Sequence, residues 1–179
     1  DVRALKKKHP GAPVVTYINT SAAVKAESDV IVTSANAPKI LRKLYQSHAK
    51  LIFVPDRMMG NNLAKDLGKT VGKELIVWDG TCIVHDRFSE KELVKLKTRH
   101  PEARVIAHPE CPAALLDYAE HIGSTSSLIH FTARHPGEEF IVLTEPGILH
   151  QMKKHSPGSV FYDVPGLMDG GCASCNTCP

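Results

Sequence analysis

The chain repeats itself. Leu5 to Ser34 can be laid beside Leu96 to Thr125 without a gap, each counterpart lying about 90 positions further on. Lys6 meets Lys97, His9 meets His100, Pro10 meets Pro101, Ala12 meets Ala103 and Val14 meets Val105. Ala22 and Ala23 meet Ala113 and Ala114, and Ile31 meets Ile122. A fixed long period means one structural unit used twice, so the two halves must share an architecture. The register also aligns polar groups of unlike chemistry. Tyr17-Ile18-Asn19 falls on His108-Pro109-Glu110, and Thr33-Ser34 falls on Ser124-Thr125. The first copy closes near Cys82, the second in Cys172-Ala173-Ser174-Cys175-Asn176-Thr177-Cys178. A site shared between pseudo-symmetric domains has this pattern.

A chain of 179 residues makes one large domain or two small ones, and 42% hydrophobic residues suffice for a real core. The net charge of +3 is spread along the chain. That is too mild for a nucleic-acid partner, which needs a concentrated basic face. No apolar run reaches ~18 residues, so no membrane partner is expected. No signal peptide is visible, and a cytoplasmic protein is expected. Five cysteines without secretion point to metal or redox chemistry rather than a disulfide framework. The chain opens at Asp1 inside a helix-like pattern, so a piece of a longer protein is expected.

Short apolar, β-branched runs at 12–17, 29–33, 51–54, 75–78, 104–107, 140–143 and 159–162 read as strands. Helices are expected over 2–9, 22–26, 38–48, 61–67, 89–100, 112–121, 126–134 and 146–154. Ser89 and Glu92 have capping-box spacing. Strands alternating with helices predict α/β architecture: two homologous three-layer α/β/α sandwich domains with small parallel sheets, at 1–88 and 89–179. In such sheets ligands bind beyond the carboxyl ends of the strands. Tyr17 to Asn19, Thr33-Ser34, Asp56, Cys82, His108 to Glu110 and Ser124-Thr125 all fall at those ends.

Cys172, Cys175 and Cys178 form C-x2-C-x2-C followed by Pro179. The spacing is close to a ferredoxin run but lacks its fourth cysteine. Zinc would need a further ligand, for which Cys82 or a nearby His is available. Cys82 gains weight from Gly80 and from the polar pair His85-Asp86. Cys111 is expected to pack as a small hydrophobe. His108 and Glu110 suit an acid/base pair. Ser124-Thr125 suits a phosphate or carboxylate, or serves simply as a helix cap.

Taken jointly, these phrases resemble the quinolinate synthases, the A protein of the quinolinate route to NAD. They are Tyr17-Ile18-Asn19-Thr20-Ser21-Ala22, Val32-Thr33-Ser34, Pro55-Asp56, Trp78 to His85, His108-Pro109-Glu110, Gly123 to Ser126 and the cysteine tail. The resemblance implies three homologous α/β domains around a 4Fe-4S cluster, each giving one cysteine, with one iron left open as a Lewis acid. It implies condensation of iminoaspartate with dihydroxyacetone phosphate, the iminoaspartate coming from aspartate oxidase or aspartate dehydrogenase. Carried over residue by residue, Cys82 and Cys178 are the cluster ligands, and Cys172 and Cys175 are a possible dithiol/disulfide pair or alternate ligands. Tyr17, His108 and Glu110 are the catalytic groups. Tyr17, Asn19, Ser34, His108, Glu110, Ser124 and Thr125 are the substrate-binding ones. A first domain with its cysteine is expected to be missing, leaving this chain inactive alone. The competing readings are a zinc- or iron-binding regulatory module built on the cysteine tail, and a glycosyltransferase-like sugar-phosphate binder.

Overall fold

The computed structural model describes residues 1–166. The chain forms two compact units, one of Asp1–Thr81 and one beginning at Cys82.

In the first unit the elements run α1 (Val2–Lys8), β1 (Val14–Tyr17), α2 (Ala22–Ala26), β2 (Val30–Val32), α3 (Ala37–Leu44), β3 (Leu51–Val54), α4 (Arg57–Leu67) and β4 (Leu75–Val77). The four strands are parallel, in the order β2-β1-β3-β4. Alternate strand residues point to opposite faces, and both faces are apolar, so the strands read as continuous hydrophobic runs. Val14, Ile52, Val54 and Ile76 pack with Val2, Leu5 and Val24 of α1 and α2. Val15, Tyr17, Leu51, Phe53 and Leu75 pack with Leu41, Met59 and Leu63 of α3 and α4. Punctuation is local. Gly11 takes φ +78 in the turn before β1, and Gly68 ends α4 in the left-handed conformation. Gly80 lies against the β3–α4 turn, where a Cβ would sit 2.6 Å from the Pro55 carbonyl oxygen.

The second unit holds a short 3-10 helix (His85–Arg87), then α5 (Glu90–Arg99), β5 (Arg104–Ala107), α6 (Ala113–Leu116), β6 (His121–Ile122), α7 (Thr125–Ala133), β7 (Glu139–Leu143), α8 (Ile148–His155) and β8 (Val160–Asp163). Its parallel sheet runs β6-β5-β7-β8, the same order as the first. Val105, Ala107, Ile141 and Leu143 pack with Leu93, Leu115 and Leu116 of α5 and α6. Ile106, Phe140 and Val142 pack with Leu128, Ile148 and Met152 of α7 and α8. Each unit is therefore a three-layer α/β/α sandwich. The duplication extends to single hydrogen bonds. His9 ends α1 at φ −128, ψ 68, and His100 ends α5 at φ −128, ψ 70. Asp29 N–H donates to Val14 O at 3.0 Å, and its counterpart Glu120 N–H donates to Val105 O at 2.9 Å.

One expected element is corrected. The helix expected over 112–121 stops at Leu116, and His121–Ile122 is the edge strand β6. The Glu120 hydrogen bond to β5 draws the chain into the sheet before the helix can continue. A strand of two residues has no period to read. At Ser89 the expected cap forms, its Oγ accepting from Glu92 N–H at 3.4 Å, while the Glu92 carboxylate takes Lys95 Nζ at 2.7 Å.

Candidate active site

In both sheets the first strand has its neighbours on opposite sides, so the winding reverses there. Loops at the carboxyl ends of β1 and β3, or of β5 and β7, diverge around a crevice, the usual place for a ligand in this class of sheet. The second unit fills that position with polar side chains. After β5, His108 N–H donates to Leu143 O at 3.0 Å and Cys111 N–H donates to His108 O at 3.0 Å. This tight turn points Glu110 back beside His108. After β7 comes Thr144, buried. At the start of the unit Asp86 N–H donates to Cys82 O at 2.9 Å, closing the turn that brings His85 beside Cys82.

Five buried or half-buried groups converge there. His85 Nδ1 lies 3.2 Å from Cys82 Sγ and 3.6 Å from Glu110 Oε2. His85 Nε2 lies 3.3 Å from Thr144 Oγ1. His108 Nδ1 lies 3.1 Å from the same Glu110 Oε2, and the two imidazoles stack with centroids 4.9 Å apart. One Glu110 oxygen thus meets the Nδ1 edge of both stacked imidazoles, and the residue is only 4% exposed. His108 Nδ1 is also 3.4 Å from the Glu110 amide. One ring nitrogen cannot donate to the carboxylate and accept from that amide at once, and the shorter, charge-assisted contact is the stronger. Burial, aided by His108 and opposed by Glu110, pushes the His85 imidazole down to about 4. His85 is therefore neutral at pH 7 and can donate from one nitrogen and accept at the other. Sulfur, nitrogen and oxygen donors of Cys82, His85 and Glu110 lie within 4.8 Å of one another, a set able to hold a metal ion.

The other sequence candidates are placed as follows. Tyr17 ends β1 with its ring in the α3/α4 core, and Asn19 is half-buried in the loop beyond it. Ser34 is half-buried in the turn before α3. Ser124 is the N-cap of α7, its Oγ accepting from Ser127 N–H at 3.2 Å. Thr125 opens α7 exposed. Asp56 is buried as the N-cap of α4 and accepts from Met59 N–H at 2.6 Å. Cys111 is fully buried and donates to Leu143 O at 3.3 Å, as packing predicted. Cys172, Cys175 and Cys178 lie outside the described residues. The structure therefore brings Cys82, His108 and Glu110 into one group and adds His85 and Thr144, which were not singled out as site residues. His85 was readable from its Cys-x2-His spacing to Cys82. Thr144 was readable by applying the strand-end rule to β7.

Fold and groups together define a duplicated, doubly wound α/β protein with a cluster of titratable, metal-capable side chains at the carboxyl edge of its second sheet. A family model described as "NadA: Quinolinate synthetase A protein" matches residues 1–179. The chain is 52% identical over 176 residues to a protein named quinolinate synthase from Prochlorococcus marinus (strain MIT 9303), covering 98% of this chain and 50% of that one. It is 49% identical over 177 residues to the quinolinate synthase of Ehrlichia chaffeensis, covering 99% and 55%. With that of Microcystis aeruginosa it shares 45% over 179 residues, covering 100% and 54%. The chain spans about half the length of these curated relatives. It belongs to the quinolinate synthetase A family.

Proposed function

We propose that this chain supplies part of the active site of a quinolinate synthase, which condenses iminoaspartate with dihydroxyacetone phosphate to quinolinate, phosphate and water on the route to NAD. The observation that carries the reading is buried Glu110, one oxygen of which lies 3.1 Å from His108 Nδ1 and 3.6 Å from His85 Nδ1 at the edge of the stacked imidazoles. Such a carboxylate can take a proton from one imidazole and return it through the other without exposure to bulk water. A condensation followed by tautomerisation and dehydration needs that kind of repeated proton movement. His108 and Glu110 are the proposed proton carriers, with His85 completing the relay. The Tyr17 phenol is a further proton donor or acceptor, and the Asn19 amide orients substrate. Ser34, Ser124 and Thr125 are the proposed holders of carboxylate or phosphate, by hydroxyl and by helix N–H groups.

The donor chemistry fits a 4Fe-4S cluster at one corner. Cys82 is a half-buried thiol at the site, and the tail cysteine Cys178 (alternates Cys172 and Cys175) is the proposed second ligand. When bound, the cluster supplies an iron with an open coordination position, a Lewis acid for substrate oxygens. The proposed suppliers of iminoaspartate are aspartate oxidase or aspartate dehydrogenase.

In the assembled holoenzyme, Glu110→Gln is expected to lower kcat/KM by about 10²–10⁴-fold while iron–sulfur absorption is retained. Cys82→Ser is expected to lose that absorption. Wild-type turnover in Glu110→Gln would remove the acid–base reading. The 179-residue chain assayed alone is expected to form no quinolinate, and product above the enzyme-free blank would contradict this.

A further inference from the structure

We propose that Cys82, His85 and Glu110 also form a mononuclear site for one divalent cation of the zinc class. A zinc ion bonds sulfur at about 2.3 Å and nitrogen or oxygen at about 2.0–2.2 Å, so tetrahedral neighbours stand about 3.4–3.6 Å apart. The thiol and imidazole nitrogen are 3.2 Å apart, the nitrogen and carboxylate oxygen 3.6 Å, and all three donors lie within 4.8 Å. The two separations that involve the imidazole nitrogen are within about 0.4 Å of those values, so one ion can bridge the three donors. These are three ligands among the described residues, the number that catalytic zinc sites draw from the protein.

The surroundings support the same ion. Thr144 Oγ1 lies 3.3 Å from His85 Nε2 and can accept a hydrogen bond from its N–H, leaving the Nδ1 lone pair for the metal. His108, at 3.1 Å, steadies the Glu110 carboxylate. Thiolate and carboxylate together balance a dication in a buried place. Cys82 is half-buried, which gives the ion a way in.

This ligand set differs from a cluster's, which takes thiolates. The ion would compete for Cys82 and immobilise Glu110, so the zinc-loaded form would be catalytically silent. The inference shares all three residues with the proposed function, but its test needs no turnover, so either can fail without the other.

The test begins with the chain carrying Cys172→Ser, Cys175→Ser and Cys178→Ser, purified without cluster and shown native by circular dichroism. Cobalt(II) is the probe. One equivalent is expected to give tetrahedral d–d bands and a thiolate charge-transfer band, both erased by zinc. Cys82→Ser should abolish the charge-transfer band. His85→Ala and Glu110→Gln should each weaken binding about tenfold or more. Cys111→Ser should change nothing. The proposal is overturned by absence of the thiolate band, by its survival in Cys82→Ser, or by unweakened binding in His85→Ala and Glu110→Gln. X-ray absorption of the wild-type chain with one equivalent of zinc gives a second reading. A mixed sulfur, nitrogen and oxygen shell supports the site, and an all-sulfur shell overturns it.

Discussion

Thr144 is a buried hydroxyl that faces a buried imidazole at 3.3 Å. Valine has almost the same shape, so Thr144→Val isolates the loss of that contact. It leaves His85 Nε2 without its partner, a loss of about 1–3 kcal/mol. Thr144→Ser should recover most of it, with urea midpoints as the measurement. Equal midpoints in the wild type and in Thr144→Val would show the contact to be idle. Residues of this kind were only partly legible. His108 and Glu110 stood out because acid–base types sat side by side at a strand end. The partner of His85 lies 59 positions away and is chosen by the sheet alone.

At the scale of elements, α4 shows how a helix is held at a set distance from its sheet. A Cβ on Gly60 would lie 2.6 Å from Val77 Cγ1 and 3.1 Å from Phe53 Cδ1. Ala is the better helix former by about 1 kcal/mol. Overpacking a tight core costs about 1–3 kcal/mol, so Gly60→Ala is expected to destabilise on balance. A raised melting temperature would show that α4 can ride outward. Helices and central strands were legible because each carries a full apolar period. The strand β6 was not, although the repeat placed Ile122 on Ile31 of β2. Two residues held by pairing to β5 carry no signal of their own. Ser124 was read both as a ligand for anions and as a helix cap. The cap is formed, and cap and ligand roles share one oxygen.

For the whole molecule, the four core clusters divide by unit, two drawn from residues 1–81 and two from residues after Cys82. Phe53 of β3 and Phe140 of β7 are fully buried, each in the core cluster of its own unit. Truncating either to Ala is expected to cost about 3–5 kcal/mol. Phe53→Ala should speed amide exchange across β1–β4 and spare β5–β8, and Phe140→Ala should do the reverse. Exchange that rises equally in both sheets would mean one cooperative unit instead of two.

The sequence alone determined the duplication, the alternation of strands and helices, and the strand ends where chemistry must sit. These are carried by local periods and by an offset visible along one line of residues. Only the tertiary structure decided that one Glu110 oxygen meets the Nδ1 atoms of both His85 and His108, and that Thr144 faces His85. Those outcomes depend on which strand lies beside which. Hydrogen bonds between strands fix such neighbours at distances in space that spacing along the chain does not encode.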